Sequence, residues 1–286
     1  MYEEIVEGLA KKAAAANPPK EGDYTKDGLL YCGNCHTPKQ CRVENPFERG
    51  RIDIRTCICM CRAEEIKKAD EEREQAEKMR RVRDMRRIGF PDDDMQNWTF
   101  DRDDNSNEKV SRVMHNYVDK FEKMRTDGKG LLLYGKVGTG KTFASACVAN
   151  ALIDKGYPCL MTSFARLRNT LQGMFDGRQQ YIDGLNRFDL LIIDDLGSEA
   201  DTEFMGEVVQ NIIDSRYRAG LPLIVTTNLT GQELKHPADI RKQRIYSRLL
   251  EMCIPLEVTG TDRRRKKLTD QYKGYADLLG FEEGDG

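Results

Sequence analysis

From Glu108 onward the chain exchanges two apolar spacings. Between Glu108 and Met124, apolar side chains fall at 110, 113, 114, 117, 118, 121 and 124, the recurrence that gives a helix one buried face. Short apolar runs then recur at Leu131–Tyr134, Pro158–Met161, Arg187–Asp195 (RFDLLIIDD) and Leu221–Thr227, and these predict buried strands. Helical stretches separate them: FASACVANALIDKG, then Ser163–Phe175 capped by Ser163, Glu203–Arg218 and Arg241–Met252, with a last helix over Leu268–Leu279. Strands alternating with helices in this order predict a three-layer α/β core around a mostly parallel sheet.

The amino-terminal third is patterned differently. Residues 1–16 predict a short amphipathic helix ended by Asn17-Pro18-Pro19, and a small cysteine-rich region fills Leu30–Arg62. Ala63–Arg87 is dense in Glu, Lys and Arg and contains neither Pro nor Gly, so it predicts a long solvated helix that Gly89-Phe90-Pro91 breaks. The expected domains are therefore 1–62, a charged helical linker over 63–89, and a large domain over 90–286. Phe90, Trp98 and Phe100 are expected to anchor a loop on that last domain, and His115 to lie at its surface.

Composition narrows the classes. Charged residues make up 33% of 286 and the net charge is −2, so no global positive field draws nucleic acid; contact with it must come from local patches. Arg80, Arg81, Arg83, Arg86 and Arg87 form one such patch, although charge runs are usually solvated helix faces. The first residues lack the pattern of a signal peptide, and no run of 18 apolar residues offers a membrane span; the expected compartment is the cytoplasm.

Six of the nine cysteines lie between positions 32 and 61, whereas Cys147, Cys159 and Cys253 sit in apolar contexts as small core residues. Cys32-Gly33-Asn34-Cys35 is a metal-knuckle spacing, with two thiolates on a tight turn. The partner pair must come from Cys57-Ile58-Cys59-Met60-Cys61, where alternate residues of an extended strand share a face. Cys32, Cys35, Cys59 and Cys61 are the preferred ligands of a structural Zn²⁺, with Cys57 as a rival and Cys41 and His36 behind it. A redox pair, free thiols or an iron–sulfur cluster are the competing readings.

The most specific chemistry lies at Gly135-Lys136-Val137-Gly138-Thr139-Gly140-Lys141-Thr142, followed by Phe143. Glycine, four residues, glycine, lysine and threonine between a strand and a helix is the phosphate-loop signature. Glycines at 135, 138 and 140 let backbone N–H groups converge on an anion at the positive end of the helix. Lys141 supplies a mobile charge to the outer phosphates, and the Thr142 hydroxyl completes a Mg²⁺ shell. A glycine-rich surface turn would not need the flanking strand and helix.

Asp194 and Asp195 end the buried RFDLLIIDD strand, where Asp194 would coordinate Mg²⁺ and Asp195 would orient the attacking water. Asn228 ends another strand and would hold that water or sense the γ-phosphate. Arginine keeps its charge and suits a transferring phosphate. Arg248, one turn after Arg244, would act across a subunit boundary or form an intrachain salt bridge, and the run Arg263-Arg264-Arg265-Lys266-Lys267 could supply an arginine in cis or bind DNA phosphates.

With these positions in place, the chain resembles the AAA+ family of bacterial and phage replicative-helicase loaders, the DnaC/DnaI type, and the closely similar IstB-like transposition ATPases. GKVGTGKT matches Walker A and LLIIDDLG matches Walker B, in the Asp-Asp form typical of this branch. IVTTNL matches sensor 1 at Asn228, and RIYSRL matches the arginine-finger box at Arg248. GTDRR matches the Gly-x-Ser-x-Arg element near sensor 2, placing that arginine on Arg264, with Asp262 where the serine usually stands. The resemblance covers Phe90 to Arg265; YCGNCHTPKQC followed by CICMC also resembles the zinc region through which many such loaders contact a helicase. It implies a P-loop NTPase core of AAA+ type without a large lid domain, and an ATPase that is weak without partner or DNA. Its cofactors would be ATP, Mg²⁺ and Zn²⁺. Its partners would be a hexameric replicative helicase, single-stranded DNA and, when ATP-bound, further copies of itself, with no membrane. A transposition helper acting on duplex DNA and a transposase is the alternative.

Overall fold

The structure is a computed structural model and describes residues 17–45, 47–197, 203–237 and 239–263. The helices expected over 1–16 and 268–279, and the position of Arg264, lie outside the described residues. The chain divides into two compact units, Met1–Arg80 and Arg81–Gly286.

The first unit is built from two small antiparallel hairpins. Strands β1 (Tyr24–Lys26) and β2 (Leu29–Tyr31) are joined by Asp27-Gly28, both at positive φ, as a two-residue hairpin turn requires. Strands β3 (Gln40–Glu44) and β4 (Ile52–Thr56) form the second pair. Lys39 is the buried tie: its ammonium pairs with Asp23 at 2.6 Å and donates to the Pro18 carbonyl. Asp23 also accepts from the Gly33 amide at 3.0 Å, and its carboxyl is held down at about 2, chiefly by Lys39. A long helix, α1 (Met60–Gly89), follows, with its side chains exposed from Lys67 through Arg81. It begins inside the expected cysteine strand. Cys59 precedes it and Cys61 lies in its first turn, so the alternation expected of Cys57, Cys59 and Cys61 does not exist.

The second unit has a five-stranded parallel sheet. In chain order its elements are α2 (Glu108–Asp119), α3 (Phe121–Thr126), β5 (Gly130–Tyr134), α4 (Lys141–Asp154), β6 (Cys159–Ser163), α5 (Phe164–Gln172), α6 (Arg178–Gly184), β7 (Leu190–Leu196), α7 (Glu203–Arg218), β8 (Leu223–Thr227), α8 (Gly231–Lys235), α9 (Ile240–Met252) and β9 (Cys253–Glu257). The strand order is β6-β7-β8-β5-β9, and every pair is parallel.

Alternate strand residues enter opposite cores, which makes three layers. Leu132, Leu191, Ile193, Leu223 and Val225 pack with α5, α7 and α9. Leu131, Leu133, Leu190, Ile192 and Ile224 pack on the other side with α2 and α4, where Phe90 is also buried. Trp98 and Phe100 pack against this second cluster, and His115 is exposed with its ring stacked on Phe100 at 4.0 Å.

Several elements of this unit differ from the sequence reading. The helix expected over Glu108–Met124 breaks at Lys120, and the break turns Phe121 into the core edge-on to Tyr157. The helix expected to reach Phe175 stops at Gln172, leaving Phe175 fully exposed. CIPLE, which the apolar spacing did not mark, is the edge strand β9; a proline is tolerated there because an edge strand need not donate on both sides.

Candidate functional site

The loop between β5 and α4 takes the curled form that its glycines permit. Gly135, Gly138 and Gly140 have φ of 141°, 79° and 94°, a region that strains residues with a Cβ. Neighbours also crowd it: a Cβ on Gly135 would lie 2.4 Å from the Val258 carbonyl oxygen. Lys136 and Val137 are exposed on the loop, and the Thr139 hydroxyl donates to the Lys136 carbonyl at 2.9 Å. Phe143, in the first turn of α4, packs against Trp98 with ring centroids 5.8 Å apart. A cavity of about 300 Å³ borders the loop between Lys136, Thr139, Asn228 and Glu257.

The side chains that sequence singled out converge here. Lys141 is buried, and its Nζ donates to the Gly135 and Lys136 carbonyls and to Asn228 Oδ1, each at 2.8 Å. Asn228 Nδ2 in turn donates to Asp195 Oδ1 at 2.8 Å. The Thr142 hydroxyl lies 3.0 and 3.1 Å from the two Asp194 carboxylate oxygens. Neighbouring ligands of an octahedral Mg²⁺ are about 3 Å apart, so this pair fits the ion. Burial raises the Asp194 carboxyl above its ordinary value, against the hydrogen bonds from Thr226 and Thr142.

The acids sit on a β-bulge. Ile193 pairs with Val225 and Leu196 with Thr227, so Asp194 and Asp195 together oppose Thr226 alone. Asp195 has φ of 65° there, an uncommon conformation that aspartate tolerates better than most residues. Thr226 has no role in the sequence reading; it is one of two threonines that end the aliphatic run of β8, and nothing local distinguishes it from Thr227.

The two arginine regions are placed unequally. Arg263 lies against the loop: its backbone N–H donates to the Gly138 carbonyl at 3.0 Å, and its guanidinium pairs with Asp104 at 3.2 Å and with the Ser106 hydroxyl. Arg264, the residue expected there, is outside the described residues. Arg248 forms an ion pair with Asp214 of its own chain and lies 4.9 Å from the centre of the Tyr217 ring, the intrachain option that the sequence left open. Arg244 and Arg248 border the same open concavity of about 700 Å³.

In the first unit, Cys32, Cys35, Cys59 and Cys61 bring their sulfurs within 4.8 Å of one another, with 3.6 Å from Cys61 to both Cys32 and Cys59. Four sulfurs about 2.3 Å from one Zn²⁺ stand about 3.8 Å apart, so the set fits a tetrahedral zinc centre. Cys57 points instead to the Pro38 carbonyl, and neither Cys41 nor His36 is among the four. Backbone amides prepare the thiolates: the Cys61 N–H, then Thr37, pulls the Cys35 thiol down to about 5, and the Cys35 and Asn34 amides lower Cys32. Cys61, crowded first by Cys35 and then by Cys32 and Cys59, is pushed up to about 12, so a cation is the natural replacement for its proton.

A phosphate loop, paired acids on the strand beyond β8, and an asparagine at the end of β8 define the P-loop nucleotide-binding proteins of AAA+ type. Residues 64–270 match the IstB-like ATP binding proteins, and the chain belongs to that family. It is 31% identical over 169 residues to the replicative helicase loader DnaI of Bacillus subtilis (strain 168), covering 53% of this chain and 54% of that protein. It is 27% identical over 124 residues to the replicative helicase loader DnaC of Escherichia coli (strain K12), covering 41% and 49%. The chain thus spans about half the length of these curated relatives. A crystal structure of DnaI superposes with a TM-score of 0.51 at 24% identity, over 60% of this chain and 96% of that one, which establishes the shared fold. Among the described residues no helix is long and apolar enough to cross a membrane.

Proposed function

We propose that this chain is an ATP-dependent loader that places a hexameric replicative helicase on single-stranded DNA, with ATP binding and hydrolysis governing its assembly and release. The observation that carries the ATP-driven part is the Lys141–Asn228–Asp195 chain of hydrogen bonds, which ties the phosphate-binding ammonium to the water-orienting carboxylate. The partner is carried by the 31% identity to a replicative helicase loader.

In this reading the amides of the loop and the amino end of α4 receive the phosphates, and Lys141 leaves the Gly135 and Lys136 carbonyls for the outer oxygens. Thr142 and Asp194 would hold Mg²⁺, which neutralises charge on those oxygens. Asp195 and Asn228 orient the attacking water, and Arg248 answers the developing charge from a neighbouring copy, once freed from Asp214. Arg263 or Arg264 serves in cis. In the same reading a zinc-bearing docking region spans 1–62, a charged helical linker 63–89 and the ATPase domain 90–286. Cys32, Cys35, Cys59 and Cys61 hold a structural Zn²⁺ that folds the docking region.

The family match itself favours a second reading, a transposition helper that organises duplex DNA for a transposase. That match begins at residue 64, however, and leaves the four-cysteine centre outside it. A pull-down with the replicative helicase encoded in the same genome, with and without ATP, tests the choice. Capture that responds to ATP is expected; failure of folded proteins to associate in both states removes the helicase reading.

A further inference from the structure

Two acids facing a single residue across a parallel strand pair leave an unusual debt in the backbone. In the bulge of β7 the ladder to β8 skips from Ile193 to Leu196, which takes the Asp195 amide out of the regular pairing. Its hydrogen bond goes instead to a side chain: Asp195 N donates to Thr226 Oγ1 at 2.9 Å. The same hydroxyl gives its proton to Asp194 Oδ1 at 2.5 Å. A threonine hydroxyl has one hydrogen to give and lone pairs to receive, and both are used here on consecutive residues. Thr226 is itself buried, at 2% exposure, so water does not compete for these bonds.

We propose that Thr226 is a positioning residue that sets the relation between the metal-binding and the water-orienting carboxylate. The claim rests on the ATPase reading of the site and adds a residue to it. Thr226 is buried and bonds to both acids, so it acts through its neighbours. By donating to Asp194 Oδ1 it holds the carboxylate in one orientation, with both oxygens within reach of Thr142 and Oδ2 the freer one for a cation. By accepting from the Asp195 amide it holds the left-handed backbone that turns that carboxylate toward Asn228. Removal of the hydroxyl therefore relaxes both acids together, and a methyl in its place cannot restore either bond.

Full-length Thr226→Val and Thr226→Ser variants test this, with fluorescent-ATP affinity read in EDTA and across a Mg²⁺ titration, and turnover read on the same samples. Valine keeps the shape of threonine without the hydroxyl; serine keeps the hydroxyl. For Thr226→Val, affinity in EDTA is expected within about twofold of the unaltered chain, since the loop is intact, while the gain in affinity from Mg²⁺ shrinks several-fold and turnover falls about 10²-fold. Thr226→Ser is expected to restore both to within a few-fold. Unchanged Mg²⁺ response and turnover in the valine variant overturns the proposal, as does a serine variant as impaired as valine, which would indicate packing alone. Should Thr226→Val fail to fold, Thr226→Cys, with only a weak donor, takes its place in the same comparison with serine. An unaltered chain that binds no ATP refutes the underlying reading, and an active chain indifferent to Thr226 refutes only this step.

Discussion

Lys141 and Asn228 are joined across the sheet edge by a 2.8 Å hydrogen bond from the ammonium to the amide oxygen, leaving the amide nitrogen for Asp195. The lysine is therefore held in place before any phosphate arrives, by two loop carbonyls and one side chain. A phosphate replaces neutral oxygens with charged ones, and charge-assisted hydrogen bonds are about twice as strong.

Removing that charge should abolish productive nucleotide binding. For Lys141→Ala, fluorescent-ATP titration is expected to show affinity lowered at least about 10²-fold, or about 3 kcal/mol. Unchanged affinity would refute the assignment of the loop.

Asn228→Ala separates binding from turnover. It leaves the loop carbonyls and Lys141 in place, so ATP affinity should hold within a few-fold while the hydrolysis rate falls about 10²-fold, the usual cost of losing one preorganised donor. A parallel loss of affinity and rate would make Asn228 a binding residue instead.

Arg248 shares its charge with Asp214 and lies over Tyr217 within one chain. If it serves a neighbouring copy, Arg248→Ala retains ATP binding and monomer stability but loses the turnover that rises with protein concentration. Sedimentation and hydrolysis measured over the same concentration range decide this, and normal turnover in an assembled state rejects the role in trans.

Metal analysis of protein purified without added zinc should find about one Zn²⁺ per chain. The double change Cys32→Ser, Cys35→Ser should lose it together with the cooperative melting of the first unit. Equal metal content in both samples would dissociate the cysteine cluster from zinc.

Arg216 offers a test of the fold alone. Its buried guanidinium donates to the carbonyls of Leu185, Phe188, Asp189 and Pro222, and burial lowers its pKa to about 10. Arg216→Met would strand those acceptors and is expected to cost about 3 kcal/mol in denaturant unfolding. A loss below about 1 kcal/mol would show that water reaches them.

What sequence could convey follows from how local each signal is. The loop glycines, Lys141 and Thr142 are adjacent in the chain, and the apolar runs around LLIIDD and LIVTT predict their own burial, so the core of the site was legible. The spacing also points to the four zinc-compatible cysteines, but through an alternation that does not occur: α1 starts at Met60, and a helical first turn, not a strand, brings Cys61 beside Cys59. Strand β9 carries no such signal, because an edge strand with Pro255 and outward Ile254 lacks a continuous apolar run. Thr226 was invisible for another reason. Its importance comes from a register skip between two strands more than thirty residues apart, and no local pattern records that.

The placing of β8 between β7 and β5 has a mechanical result. A strand bonded along both borders cannot slide without breaking two ladders, so any displacement forced on Asn228 by an incoming phosphate has to leave through the chain beyond it. That route is already stiff: Thr227 Oγ1 grips the Leu196 carbonyl and the Leu229 amide, and Thr230 with Glu233 locks the start of α8. A push on Asn228 would therefore be borne by this corner and the start of α8 before it disturbed the sheet.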